Sequence, residues 1–176
     1  MSDDSWPIFG KVHSLVFDFD GVFTNNKVLV SESGVESVQC DRRDGLGIKI
    51  LRELKQKKIF NGEIFVLSTE INKVVEQRCK KLKLDCFQNI GDKLDFLQKR
   101  FSKLNLEFDG LIYLGNDLND WSVFKTDCFS VAPQDAHVEI QKIANRVLPE
   151  KGGEGFVRAF IEEWVINNGV NLEDYF

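Results

Sequence analysis

No stretch of the 176-residue chain reaches the roughly 20 consecutive apolar residues of a membrane span. Nor does any run of five or more like charges occur. With a net charge of −5, this makes nucleic acid or an anionic membrane surface a poor partner. The four cysteines, Cys40, Cys79, Cys86 and Cys128, form no CxxC pair, and His13 and His137 lie far apart, so a zinc site is not expected. The first residues include Asp3 and Asp4 and lack a basic flank followed by an apolar run, which argues against a signal peptide. The expectation is a cytoplasmic protein with reduced thiols. Internal repeats and low-complexity linkers are also missing.

What is present is enough for one compact domain spanning 1–176, because 43% hydrophobic and 11% aromatic residues exclude disorder. Short apolar runs alternate with longer amphipathic stretches, a rhythm that predicts an α/β fold: a doubly wound, mainly parallel sheet with helices on both faces. Strands are expected at 14–19, 63–68, 110–114 and 128–132, with a weaker one near 85–88. Helices are expected at 44–58, 72–83, 92–104, 117–125, 135–144 and 155–166. Between 26 and 40 the rhythm changes, and Lys27-Val28-Leu29-Val30 and Val35-Glu36-Ser37-Val38 flank Ser31-Glu32-Ser33-Gly34. Two strand-like runs about a glycine-containing turn read as a β-hairpin, placed to act as a flap.

The apolar run Leu15-Val16-Phe17 ends in Asp18-Phe19-Asp20-Gly21-Val22-Phe23-Thr24. Side chains alternate along a strand, so positions 18 and 20 aim two carboxylates at one spot while Phe19 turns into the core. Such a pair is costly unless something positive binds between the acids, which points to Mg²⁺ and a phosphoryl group. Further polar groups fall at strand ends or helix starts: Ser68-Thr69-Glu70 after Ile64-Phe65-Val66-Leu67, Lys93 after Gly91-Asp92, and Gly115-Asn116-Asp117-Leu118-Asn119-Asp120 after Leu111-Ile112-Tyr113-Leu114. Ligands of open α/β sheets bind outside the carboxyl ends of the strands, so these clusters are candidates for one site. Singly, each has a plainer explanation: Ser68 and Asp117 as helix caps, Lys93 as a solvated helix lysine.

In their order, these segments resemble the four motifs of haloacid dehalogenase superfamily phosphatases. The resemblance covers nearly the whole chain and is strongest to a small branch without a cap domain. That branch acts on 3-deoxy-octulosonate 8-phosphate and on nine-carbon keto-deoxy sugar acid 9-phosphates, including 2-keto-3-deoxynononate and N-acylneuraminate 9-phosphates. Arg43-Asp44-Gly45-Leu46-Gly47-Ile48, Gly152-Gly153-Glu154-Gly155 with Arg158, and Gly169-Val170-Asn171-Leu172-Glu173-Asp174 are further shared landmarks.

The resemblance implies Asp18 as nucleophile, Asp20 as general acid/base, Ser68 as a hydrogen-bond donor to phosphate and Lys93 as counter-charge. It implies Mg²⁺ held by Asp18, Asp20 and the 115–120 loop, with Asn116, Asp117 and Asp120 as candidate ligands. Asn116 departs from the acid that often follows the glycine. For the substrate, Thr69 and Glu70 replace the Gly-Arg usual in octulosonate phosphatases. Glu70, Arg78 and Lys81 match positions of the nine-carbon branch, which is therefore favoured, with the eight-carbon substrate as the alternative. Arg78 and Lys81 lie one turn apart and share a helix face. The branch assembles as tetramers in which a neighbour closes the site, which implies a homotetramer with Arg42 and Arg43, beside the flap, at the shared site. Two rivals come from other classes. One is a non-catalytic oligomerisation domain related to those joined to acylneuraminate cytidylyltransferases, and the other is a phosphoacceptor signalling domain.

Overall fold

A computed structural model describes residues 5–175. In chain order the elements are β1 (Ser14–Phe17), β2 (Thr24–Val30), β3 (Glu36–Cys40), α1 (Arg43–Gln56), β4 (Glu63–Leu67), α2 (Lys73–Leu82) and β5 (Asp85–Phe87). They continue with α3 (Lys93–Leu104), β6 (Leu111–Leu114), α4 (Trp121–Phe124), β7 (Phe129–Pro133), α5 (Val138–Ile143), β8 (Arg146–Leu148) and α6 (Phe156–Asn167). Six strands form one sheet in the order β5-β4-β1-β6-β7-β8, every neighbouring pair parallel. The expected α/β architecture is therefore present. Among the described residues no helix is long and apolar enough to cross a membrane.

Alternation along the strands divides the core in two. Leu15, Phe17, Val66, Ile112, Leu114 and Val131 face one side, where α1, α2 and α6 cover them with side chains such as Ile48, Leu51, Val75 and Trp164. Val16, Phe65, Leu67, Leu111, Tyr113 and Ala132 face the other, under α3, α4 and α5. Strands buried on both faces read as the continuous apolar runs seen in the sequence. From β1 the chain winds outward through β4 and β5, then crosses back to β6 on the other side. The reversal opens a crevice beside the carboxyl end of β1, and Asp18 begins there, its N–H bonded to the Leu114 carbonyl at 2.8 Å.

β2 and β3 form a separate antiparallel hairpin inserted between β1 and α1, as expected, but it starts at Thr24 and carries an irregularity between Thr24 and Val28. Two other expectations need correcting, and one strand has no counterpart among those expected. The helix expected over 117–125 is a 3₁₀ turn, Leu118–Asp120, followed by the short α4, because Asp117 and Asp120 fold back on the backbone in a capping box. The helix expected from 135 begins at Val138, since Ala136 and His137 spend their N–H groups on the Pro133 and Asn116 carbonyls. Strand β8 was not foreseen. It is only three residues long, too short for a period to show.

Candidate active site

The turn after β1 is held open by two close backbone approaches. Gly21 takes a positive φ of 79°, and Gly152 lies so close that a Cβ there would stand 2.0 Å from the Gly21 carbonyl oxygen. Gly153 N–H donates to the Val22 carbonyl at 3.1 Å, and Gly152 N–H to Asp135 Oδ1 at 2.9 Å, so the 152–155 loop props the turn from behind. Phe19 is buried and stacks against Phe23, ring centroids 5.8 Å apart. With that ring anchored inward, Asp18 and Asp20 face the crevice.

Asp18 Oδ1 accepts hydrogen bonds from Phe19 N–H at 2.7 Å and from Lys93 Nζ at 2.8 Å. Both contacts fall on one oxygen, leaving Oδ2 for a reacting atom. Lys93, fully buried at the start of α3, also donates to Asp120 Oδ1 at 2.7 Å. Burial pulls the Lys93 ammonium down, yet the carboxylates of Asp18 and Asp120 more than offset this and it stays charged. Burial pushes the Asp18 carboxyl up to about 7, and Lys93 restrains the rise. Asp20, less buried, is raised by desolvation and by the nearby charge of Glu70. An acid with a raised pKa beside a nucleophile is suited to carry a proton.

Asp120 was expected among the metal ligands, but its position is different. Oδ1 accepts from Lys93 and from Tyr113 Oη at 2.7 Å, while Oδ2 accepts from the N–H groups of Asn116 at 2.9 Å and Asp117 at 3.3 Å. With both oxygens engaged inside the protein, Asp120 positions Lys93 and shapes the loop rather than facing the crevice. Asn116 lies in the opposite condition. Its Oδ1 is buried with no hydrogen-bond partner, a costly state unless a cation or donor meets it.

Asp18 and Asp20 share a pocket of about 280 Å³ with Asn116, Asp117 and Asn119 from the β6 loop, Thr69 and Glu70 from the β4 loop, and Asn26 of the flap. Four of these residues are acids, and Lys93 is already bound to two carboxylates. An anionic substrate would meet strong repulsion unless a cation entered with it. Among the described residues no three His, Cys, Asp or Glu side chains cluster as a metal site. The donor set that fits instead is mixed: the Asp18 carboxylate and the orphaned Asn116 amide oxygen, both at the same pocket. Oxygen donors of this kind suit Mg²⁺, which commonly binds through one or two carboxylates and keeps several waters.

Ser68 is buried behind the pocket, its Oγ accepting from Glu70 N–H at 3.1 Å and keeping its own proton to donate. The other predicted residues are not gathered there. Arg43 is tied to Asp41 and to the Glu154 carbonyl, linking the base of the flap to the 152–155 loop. Arg42, Arg78 and Lys81 line a different cleft, between α1 and α2. Glu70 therefore reaches the Asp18 pocket, but within one chain its two expected cationic companions do not.

Three contributors were missed. Tyr113 was only part of an apolar run, although a phenol in a doubly covered strand needs a buried acceptor, here Asp120. Thr24 Oγ1 accepts from Gly21 and Asn26 N–H groups, each at 3.2 Å, and donates to Asp20 Oδ1 at 3.4 Å. Asn26, at φ 60°, brings the root of the flap to the pocket. Its position directly after the turn was the available signal.

Residues 47–160 match the haloacid dehalogenase-like hydrolase family. The 3-deoxy-D-manno-octulosonate 8-phosphate phosphatase of Salmonella typhi is 29% identical over 159 residues, covering 90% of this chain and 81% of that protein. The crystal structure of the enzyme of the same name from Yersinia pestis is 27% identical, with a TM-score of 0.82 over 95% of this chain and 88% of that one. A Moraxella catarrhalis structure of that name, in complex with magnesium, phosphate and KDO, has a TM-score of 0.80 over 90% of this chain and 88% of that one. At 22% identity it shows a shared fold.

Proposed function

The chain belongs to the haloacid dehalogenase-like hydrolase family, and on that premise we propose that it is a Mg²⁺-dependent phosphatase of a keto-deoxy sugar acid phosphate. The observation that carries the proposal is the buried Asp18–Lys93–Asp120 chain beside the unpartnered Asn116 oxygen. A structural or oligomerisation domain has no use for a lysine buried between two carboxylates at the mouth of a crevice, an arrangement that costs desolvation.

In this mechanism Asp18, held through Oδ1, attacks phosphorus with Oδ2 and forms an aspartyl-phosphate. Asp20 gives its proton to the departing sugar alkoxide, a poor leaving group without it. It then takes a proton from the water that attacks the phosphorus of the intermediate, restoring both acids. Lys93 balances charge on the transferring group, and the Ser68 hydroxyl donates to a phosphoryl oxygen. When bound by Asp18 and Asn116, Mg²⁺ supplies the charge that lets a phosphate dianion approach two carboxylates.

The eight-carbon substrate, 3-deoxy-octulosonate 8-phosphate, is the better supported, because the relatives above carry that activity in their names. The nine-carbon preference rested on Glu70, Arg78 and Lys81 together, and only Glu70 lines the pocket. We further propose that copies of the chain assemble through the flap, as expected of a homotetramer. Val28, Leu29, Val30 and Val35 there are 54–77% exposed, more apolar surface than a lone hairpin leaves to water. Light scattering of wild type and Leu29→Asp tests this, with a smaller mass expected for the variant.

The function is tested by measuring phosphate release from eight- and nine-carbon keto-deoxy sugar acid phosphates, with and without Mg²⁺. Metal-dependent release that disappears in Asp18→Asn is expected. No release from any of them, or undiminished release by the variant, refutes the enzyme.

A further inference from the structure

The cleft between α1 and α2 holds charge that the proposed phosphatase chemistry does not use. It measures about 410 Å³ and is lined by Arg42, Gly45, Arg52, Arg78, Lys81 and Leu82. Four of the six are cations and none is an acid, in a chain whose net charge is −5. Like charges gathered so closely repel one another, and such a cluster would ordinarily be interleaved with carboxylates.

The guanidinium groups are also partly held in place by main chain rather than by acids. Arg78 Nη2 donates to the Asp41 carbonyl at 2.8 Å, and Arg52 Nη1 lies 3.5 Å from the Leu82 carbonyl. Carbonyls orient a guanidinium without neutralising it, and although the Asp41 and Asp44 carboxylates also feel the Arg78 charge, neither acid lines the cleft. Arg78 Nε, moreover, is buried without a hydrogen-bond partner, a donor left unspent at the wall of the cleft. Planar guanidinium groups are suited to bidentate contacts with phosphate oxygens.

We propose that this cleft is a binding site for a small, multiply charged phosphate oxyanion of the diphosphate class, separate from the Asp18 pocket. Four facing cations match a ligand of three or four negative charges better than a single phosphate. The cleft is also several times larger than one orthophosphate. Free diphosphate and the phosphate tail of a nucleotide present the same chemistry. The site does not depend on the phosphatase proposal, because it shares no lining residue with the reaction pocket.

Calorimetric titration of the full chain with inorganic diphosphate, and separately with ATP, tests it in the absence of divalent metal. Wild type is expected to bind diphosphate, ATP or both. Affinity should fall at least tenfold in Arg52→Gln/Lys81→Gln and weaken with added salt. Asp18→Asn is expected to bind as wild type does. Circular dichroism melting of the double variant distinguishes a lost site from a lost fold, and Arg52→Gln alone should give an intermediate affinity. Binding that survives in the double variant but disappears in Asp18→Asn would place the anion in the reaction pocket and overturn the proposal. Absence of binding by either ligand would also overturn it.

Discussion

Replacing Lys93 by Met removes the one positive charge between Asp18 and Asp120 while keeping most of the side-chain volume. Lys93 and Asp120 side chains are fully shielded from water and that of Asp18 is 5% exposed, so solvent cannot replace the lost partner. Breaking a buried ion pair from one side costs about 3–5 kcal/mol. In a chain of this size that lowers the melting temperature by roughly 6–20 °C. The loss should depend on pH. Burial already pushes Asp18 up to about 7 against the pull of Lys93, and without that pull its carboxyl rises further. A carboxyl whose folded value exceeds its unfolded value binds protons more readily in the native state, so stability falls as pH rises from about 4 through the folded value. Urea unfolding at about pH 5 and about pH 8 should therefore show the larger deficit at the higher pH. Phosphate release at neutral pH should fall at least about a hundredfold, because Asp18 is then protonated and the transferring group lacks its counter-charge. A variant equally stable at both pH values, or one retaining a tenth of the activity, would refute the reasoning.

Asn116→Asp should retain activity and bind Mg²⁺ more tightly, since a carboxylate replaces an uncharged donor at the orphaned position; metal titration of phosphate release checks this. Gly152→Ala places a methyl 2.0 Å from the Gly21 carbonyl oxygen and should cost about 1–3 kcal/mol or more, with a larger loss of kcat than of substrate affinity, as unfolding and steady-state assays would reveal. Asp44 is buried with Oδ2 unpartnered, and burial pushes its pKa up to about 7, so its ionisation destabilises the fold as pH rises from about 4 to about 7. Asp44→Asn keeps an acceptor for Arg158 N–H and should be more stable than wild type at about pH 8 by up to about 4 kcal/mol, with little difference at about pH 4, measured by urea unfolding.

Much of the architecture was legible because doubly covered strands leave an unmistakable trace. Leu15-Val16-Phe17, Ile64-Phe65-Val66-Leu67 and Leu111-Ile112-Tyr113-Leu114 are apolar on both faces, and the amphipathic stretches between them supply the covering helices. Where side chains override local pattern, the sequence misled. The 117–125 segment has helical spacing, but Asp117 and Asp120 capture backbone N–H groups and tighten its start. The meeting of Asp18 with Lys93 followed from strand ends converging at a sheet crevice, a property of topology. The role of Asp120 did not follow, because spacing cannot tell an oxygen aimed at a cation in the pocket from one aimed at a buried lysine. Arg78 and Lys81 illustrate the same limit: one turn of helix puts them on a common face, but packing against α1 decides which cleft that face lines.

The proposed chemistry requires Asp18 to become covalently phosphorylated during turnover. Acid quenching a single turnover with 3-deoxy-octulosonate 8-phosphate and Mg²⁺, followed by peptide mass spectrometry, tests it most directly. A transient phosphoryl adduct is expected on the peptide carrying Asp18, forming and decaying at rates compatible with phosphate release and undetectable in Asp18→Asn. Phosphate release in the same samples without any adduct, with Asp18→Asn releasing phosphate as fast as wild type, would contradict it.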